Sequence, residues 1–278
     1  MIIYKMRFNE TFNFKAREFA YARKTNQIFK FFMSNVSMEK RASYYQEFIK
    51  RGFRSAQALG IEVPNGYPLS SLDEVFFEKI YDQAGFIPTS KDTIIDIGAH
   101  TGDWALYCSK IHKVREINAF EPLSENIEWA KKILDLNLCS NVNLFAYGIS
   151  DIESQSEMVY IGNQLSLGDS DISQGKKEII SFKTLDSLNL DGSILKIDVE
   201  GYEVKVLHGA LKTIRKNRPK IIVEAHSVEL RRKCNEILQK EGYVLKYKGR
   251  AVKEKGSSRS KNFDKISNLF YLPEELNK

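Results

Sequence analysis

The sequence predicts an α/β fold in which helices cover both faces of a mainly parallel, seven-stranded sheet. One observation is a regular alternation of short apolar runs, rich in β-branched residues, with helical stretches. Another is a final pair of apolar runs joined by a basic loop, which we expect to form an antiparallel edge pair. The strands are predicted at 93–97, 116–120, 141–147, 193–198, 220–225, 244–247 and 266–272.

An N-terminal helical extension, residues 1–70, is predicted to precede the α/β domain of residues 71–278. Residues 1–60 contain twelve Lys and Arg against four Asp and Glu, a formal charge of +8, with aromatic residues at helical spacing among them. We interpret these helices either as a cap that packs on the main domain or as a surface for an acidic partner such as RNA or anionic lipid.

A helix is predicted to connect this extension to the first strand. Ser71 and Glu74 have the spacing of a capping box, and Gly85 is the expected stop. Its apolar face consists of Leu72, Val75, Phe76 and Ile80.

Cysteine usage and hydropathy argue against two classes of protein. Cys108, Cys139 and Cys234 form no C-x-x-C pair, so we expect reduced, buried thiols rather than disulfides or a zinc site. The sequence has no run of about 18 apolar residues and no signal-peptide core. A cytoplasmic protein without a transmembrane helix is therefore expected.

The first predicted strand leads into a glycine loop and a helix start, the parts of a cofactor cradle. Gly98 lacks a Cβ and is expected to let the backbone approach a ligand, while the free N–H groups of the next helix favour a polar ligand end. The loop reads G-x-x-x-G, with His100 where a dinucleotide fingerprint has a glycine. Asp96 and Asp103 would repel a pyrophosphate, so S-adenosylmethionine, with an amino group and no phosphate, fits better.

The second predicted strand ends at Glu121-Pro122, 25 positions after Asp96. Both acids therefore lie at carboxyl ends of neighbouring strands, where doubly wound sheets bind ligands. Glu121 is expected to accept the ribose hydroxyls. Residues 148–151, and among them Ser150 and Asp151, are expected beside the adenine ring.

Two loops are predicted later in the chain. Residues 158–161 and 178–182 are expected to form a hairpin, and 162–175 between them is either a mobile lid or an idle surface loop. The stretch 248–261 is basic and is expected to be flexible.

Several segments together resemble the FkbM family of S-adenosylmethionine-dependent methyltransferases. They are Leu195–Ala210 (LKIDVEGYEVKVLHGA), Ile95–Gly102, Phe120–Pro122, Thr184–Asp186 and Glu74–Tyr81. The resemblance implies a class I methyltransferase (Rossmann-like) fold and O-methylation of a hydroxyl. The candidate cofactor contacts are Asp96, Gly98, Ala99, His100, Gly102, Glu121, Pro122, Ser150, Asp151 and Asp198. The family loop usually has Asn where this chain has His100.

Methyl transfer from a sulfonium requires an acceptor oxygen about 3 Å from the methyl carbon and, for a hydroxyl, a base within reach. In this fold the end of the fourth strand lies beside the reactive methyl, so Asp198 and Glu200 are the leading catalytic candidates. Glu224 and His226, at the end of the fifth strand, come next. The alternation of each pair points both members to one side if the strand persists.

Three points remain open from the sequence. Either His226 or Asp198 is hypothesised to take the proton. Transfer without a metal is preferred, with the alternative that Asp198, Glu224 and His226, together with Glu200, bind Mg²⁺ or Mn²⁺. Glu200 also has a structural interpretation, as an acid at the N-terminus of the long helix predicted at 203–217.

The sequence thus predicts an O-methyltransferase acting on a small molecule, a glycan or a lipid-linked sugar. One alternative keeps the enzyme and gives it RNA, held by the two basic segments. Another is a binding protein that retains the cofactor fold without turnover.

Overall fold

The computed structural model describes residues 50–161, 164–165, 176–249 and 267–276, and within them it confirms the predicted α/β, Rossmann-like architecture. The strands are β1 (Thr93–Ile97), β2 (Glu116–Phe120), β3 (Val142–Phe145), β4 (Gly148–Ile149), β5 (Ser154–Ile161), β6 (Gln164–Leu165), β7 (Lys176–Lys183), β8 (Ile194–Ile197), β9 (Lys220–Ala225), β10 (Tyr243–Lys248) and β11 (Ser267–Pro273).

The main sheet has seven strands in the order β10-β11-β9-β8-β1-β2-β3. The five from β9 to β3 are parallel, whereas β11 runs antiparallel to both β9 and β10. The predicted antiparallel pair is therefore confirmed. Because β1 lies between β8 and β2, the carboxyl ends of these strands meet at one side of the sheet.

A second, smaller sheet pairs its strands in the order β4-β7-β5-β6. The antiparallel pairing of β5 with β7 confirms the predicted hairpin, and both strands are longer than expected. The suggested lid lies outside the described residues except for Gln164–Leu165, and so do most of the basic loop and residues 1–49.

The described helices are α1 (residues 50–58), α2 (Ser70–Leu72, continuing as a π-helical turn over Asp73–Phe77), α3 (Asp103–Tyr107, continuing over Cys108–His112), α4 (Ser124–Leu136), α5 (Glu203–His208), α6 (Leu211–Asn217) and α7 (Val228–Lys240).

Two of the predicted helices differ from these. α2 ends well before Gly85 because Lys79 takes a φ of 50°, and the Ser71 side chain caps no backbone N–H. The helix predicted at 203–217 is broken between α5 and α6.

Two apolar clusters pack on the two faces of the main sheet. One contains residues of α3 and α4, and the other contains residues of α5, α6 and α7. Ala56, Ile61 and Tyr67 belong to the first cluster, so the described part of the N-terminal extension packs directly on the sheet's core. A domain boundary near residue 70 stays a prediction.

The three cysteines are buried and free, as expected. Within the part of the chain that the structure describes, none of the helices combines the length and the apolar character that crossing a bilayer requires.

Candidate active site

A cavity of about 270 Å³ opens at the carboxyl ends of β1, β2, β8 and β9. Nine of the predicted site residues line it: Gly98, Ala99, His100, Glu121, Pro122, Asp198, Glu200, Glu224 and His226. Four others do not: Asp96, Gly102, Ser150 and Asp151. The first group is placed to touch a ligand, whereas the second shapes the walls.

Glu121 follows β2 and is buried beside the loop after β1. Its Oε2 accepts the backbone N–H of His100 at 2.9 Å. Its Oε1 accepts the N–H of Leu123 at 3.0 Å and the amide of Asn126 at 3.1 Å. Burial raises the pKa of Glu121, although these hydrogen bonds oppose the shift. The carboxylate thus ties the glycine loop to the start of α4.

The two glycines of the loop are required by packing. Both have positive φ, 85° at Gly98 and 86° at Gly102. A Cβ at Gly98 would lie 1.7 Å from the backbone oxygen of Asp198, and one at Gly102 would lie 3.1 Å from the Cβ of Ala130. Close approach of the Asp198 backbone therefore requires a glycine at position 98, and the expected approach of a ligand to Gly98 stays a prediction.

Asp96 lies behind the cavity wall and not at its surface. It is fully buried, and it is the register partner of Lys196, whose Nζ lies 3.1 Å from its Oδ1. Burial raises the pKa of Asp96, against the effect of Lys196. Burial would lower the pKa of Lys196, but Asp96 and Asp198 outweigh it and raise that pKa. The predicted cofactor contact of Asp96 is corrected: Asp96 holds Lys196, and Lys196 lines the cavity.

Ser150 and Asp151 also lie off the cavity. The hydroxyl of Ser150 donates to Asp151 at 3.0 Å. The carbonyl of Ser150 packs against Gly209, where a Cβ would lie only 1.9 Å away. Ser150 thus packs against the chain between α5 and α6, where Gly209 lies. Within residues 148–151, Gly148 and Ile149 line the cavity, whereas Ser150 and Asp151 do not.

The predicted acid–base candidates form one cluster at the ends of β8 and β9. One ligand atom from each of Asp198, Glu224 and His226 lies within 4.8 Å of the other two. The hydroxyl of Tyr81 is 3.2 Å from Asp198 Oδ2 and 3.4 Å from Glu224 Oε2. Burial and the charge of Asp198 raise the pKa of Glu224. The strand alternation therefore places these side chains together, as expected.

His226 faces carboxylates with both ring nitrogens. Its Nδ1 is 2.8 Å from Glu203 Oε1, and its Nε2 is 3.3 Å from Glu200 Oε2 and 3.6 Å from Asp198 Oδ1. Burial lowers the pKa of His226, but these carboxylates outweigh burial and raise it to about 12. Both ring nitrogens of His226 therefore face carboxylates, and the choice between His226 and Asp198 as the base stays a prediction.

The model of a protein family described as "Methyltransferase FkbM domain" matches residues 96–248, which is more than half of the chain. This chain belongs to the FkbM methyltransferase family. The seven-stranded, mostly parallel sheet is the class I methyltransferase fold that the sequence predicts.

Several known proteins are similar to this chain. It is 25% identical over 114 residues to the AMB antimetabolite synthetase AmbE of Pseudomonas aeruginosa, covering 37% of the chain and 5% of that synthetase. A methyltransferase FkbM from Methylobacillus flagellatus KT has a TM-score of 0.47 at 18% identity, over 81% of this chain and 59% of that one. A methyltransferase from Pyrococcus furiosus has a TM-score of 0.47 at 16% identity, over 83% and 98%. The chain thus spans less than two thirds of the first two proteins.

The segment before β1 contributes to the site through contacts with Asp103. That carboxylate is 2% exposed and accepts hydrogen bonds from the hydroxyls of Tyr67 at 2.9 Å and Thr101 at 2.7 Å, and from Ser71. Ser71 therefore anchors α2 to the start of α3, which is the physical reason that it is not a helix cap.

Among the polar residues that line the cavity, Glu74, Tyr81 and Lys196 were not predicted from the sequence. Glu74 and Tyr81 are the first and last residues of a segment that resembles the family. The spacing of Glu74 from Ser71 nevertheless suggested only that it caps a helix. The Glu74 carboxylate makes no hydrogen bond within the described residues. Burial, and next the charge of Asp198, raise the pKa of Glu74 to about 7.

Proposed function

We propose that this FkbM methyltransferase binds S-adenosylmethionine in the cavity and transfers its methyl group to a hydroxyl. The observation that carries the proposal is the charge of the cavity lining. Against Lys196 and two histidines, it has six carboxyl groups: Glu74, Asp103, Glu121, Asp198, Glu200 and Glu224. Such a lining favours a ligand with a sulfonium and an ammonium group over one with phosphates.

Glu121 is the proposed ribose ligand. A carboxylate offers about four lone-pair positions, and three of those on Glu121 are filled by N–H groups. Oε2, with one partner, has room for one hydroxyl. The sequence-based expectation that Glu121 accepts both ribose hydroxyls is therefore narrowed to one.

The chemical step is an in-line displacement at the methyl carbon. The bond from sulfur to carbon breaks with its electron pair left on sulfur, and a bond from the acceptor oxygen to the methyl carbon forms. The hydroxyl proton passes to a base of the cavity. Asp198 and His226 are the candidates from the sequence, and Glu74 is a further candidate, because no hydrogen bond from a described residue occupies its carboxylate.

Calorimetry with Glu121→Gln tests the cofactor part of the proposal. A glutamine has one oxygen, so its NH₂ would face the N–H of either His100 or Leu123. We expect S-adenosylmethionine to bind the wild type, and the variant to bind about 10-fold more weakly or worse. Glu128→Gln, an exposed change on α4, is the matched control and should bind normally. No heat of binding with millimolar cofactor and folded wild type would overturn the proposal.

The acceptor part is tested with cofactor labelled in the methyl group. Transfer to a hydroxyl in a panel of sugars, glycolipids and phenols supports O-methylation, and mass spectrometry locates the label. Label recovered only in RNA would support the alternative substrate. Cofactor binding with no transfer to any acceptor would instead indicate a binding protein.

A further inference from the structure

The parallel pairing of β8 with β9 brings three possible metal ligands to one point of the cavity. Ile197 and Val223 are register partners, so Asp198 and Glu224 follow at the same level on adjacent strands. His226 lies two residues beyond Glu224. The three ligand atoms lie within 4.8 Å of one another, a span that one cation can bridge.

The orientation of His226 is a second, independent feature of the cluster. Histidines that bind metals almost always give their other ring N–H to a carboxylate, which fixes the ring. Here Nδ1 lies 2.8 Å from Oε1 of Glu203, a fully buried residue at the start of α5. That contact directs Nε2 at the carboxylates of Asp198 and Glu200, at 3.6 and 3.3 Å.

Glu74 provides a third observation from another part of the chain. It comes from α2, lines the same cavity, and its partly buried carboxylate makes no hydrogen bond within the described residues. A carboxylate that is drawn partly out of water without a partner is stabilised when a cation or a donor approaches it.

We propose that Asp198, Glu224 and His226 bind one divalent cation, Mg²⁺ or Mn²⁺, in the cavity. Two carboxylates and one imidazole suit these cations better than softer ones. Three protein ligands leave coordination positions for water and for an acceptor oxygen. The role in methyl transfer rests on the proposed function: the cation would orient the acceptor hydroxyl and lower its pKa. Binding of the cation itself does not depend on that function.

A competing arrangement uses the same residues without a metal. The carboxylates would be balanced by Lys196, whose Nζ is 3.6 Å from Asp198 Oδ2, and by a proton on His226. The two arrangements predict opposite results in a binding experiment.

The experiment measures Mn²⁺ binding to the full chain after chelator treatment, by the electron paramagnetic resonance signal of free Mn²⁺. We expect one Mn²⁺ per chain and competition by Mg²⁺. Glu224→Gln and Asp198→Asn should each weaken binding at least 10-fold. Glu229→Gln, an exposed carboxylate on α7, should leave binding unchanged.

The change in melting temperature on adding Mn²⁺ tests the same site in a variant that is less stable than the wild type. Mn²⁺ should raise the melting temperature of the wild type and of Glu229→Gln, and should raise that of Glu224→Gln much less. Absence of stoichiometric binding to folded wild type at 1 mM Mn²⁺, or equal binding by all variants, overturns the metal site. Calorimetry of S-adenosylmethionine in chelator separates the two proposals, because cofactor binding without Mn²⁺ binding rejects only the metal.

Discussion

The backbone oxygen of Asp198 passes so close to the α-carbon of Gly98 that a Cβ there would lie 1.7 Å from it. This contact joins the loop after β1 to the residue that follows β8. The position of the candidate base is thus set by a glycine 100 residues earlier in the chain.

Gly98→Ala should therefore lower the free energy of unfolding by about 3 kcal/mol or more, because a backbone atom has no rotamer with which to move away. Gly85→Ala is the matched control. Gly85 also has positive φ, at 83°, but a Cβ there meets nothing within 4 Å. That change should cost only about 1 kcal/mol, from the backbone conformation alone. Urea unfolding measures both, and equal losses would contradict the role of the Asp198 contact.

Glu74→Gln should stabilise the protein at pH 8 and much less at pH 5. The pKa of Glu74 is raised from 4.5 to about 7, so its contribution to stability is complete below about 4.5 and lost as pH rises through 7. Glutamine does not ionise, and the gain at pH 8 has an upper limit of about 3 kcal/mol. Urea unfolding at both pH values, with chelator present, measures the difference.

Glu229→Gln is the control for this pH dependence. Arg232 lowers the pKa of Glu229, so the charged form is favoured in the folded state and its loss at pH 8 should give no gain. A gain for Glu74→Gln that is independent of pH would contradict the shifted ionisation.

Lys196→Met should be strongly destabilising, by about 3–5 kcal/mol, because it leaves Asp96 buried without a counter-charge. The double variant with Asp96→Asn should recover a large part of this loss, and urea unfolding of the double-mutant cycle measures the coupling. Lys177→Met removes an exposed pair with Glu157 and should change stability little. Additive effects of the two core changes would show that the pair is not coupled.

Tyr67→Phe should cost about 1–3 kcal/mol, because the buried carboxylate of Asp103 loses one of its hydroxyl donors. Tyr147→Phe removes the same atom from a side chain whose hydroxyl makes no hydrogen bond within the described residues, and should be nearly neutral. Thermal unfolding of the two variants compares them directly. Equal melting temperatures would mean that Tyr67 does not anchor the segment before β1.

The sheet and the ends of its strands were predictable because β-branched apolar runs and strand alternation are local signals. They located Glu121, Asp198, Glu224 and His226 at one side of the sheet. The sequence did not predict that Lys196, the register partner of Asp96 on β8, would form a buried ion pair with it. It also missed Glu74, because a helical pattern does not tell which side chain a distant strand end will face. The contact of His226 Nδ1 with Glu203 was not predicted either, because Glu203 lies on a separate helix, 23 positions earlier in the chain.

The last described strand, β11, lies inside the main sheet, between β9 and β10. The ribosome must therefore synthesise β11, up to residue 273, before β9 can pair with a strand on both of its edges. β9 contains Glu224, and His226 follows it directly. Until then β9 has one unpaired edge, open to other nascent chains. Assembly of the cavity during translation should be a late event, and chains stalled before residue 267 should be prone to aggregate.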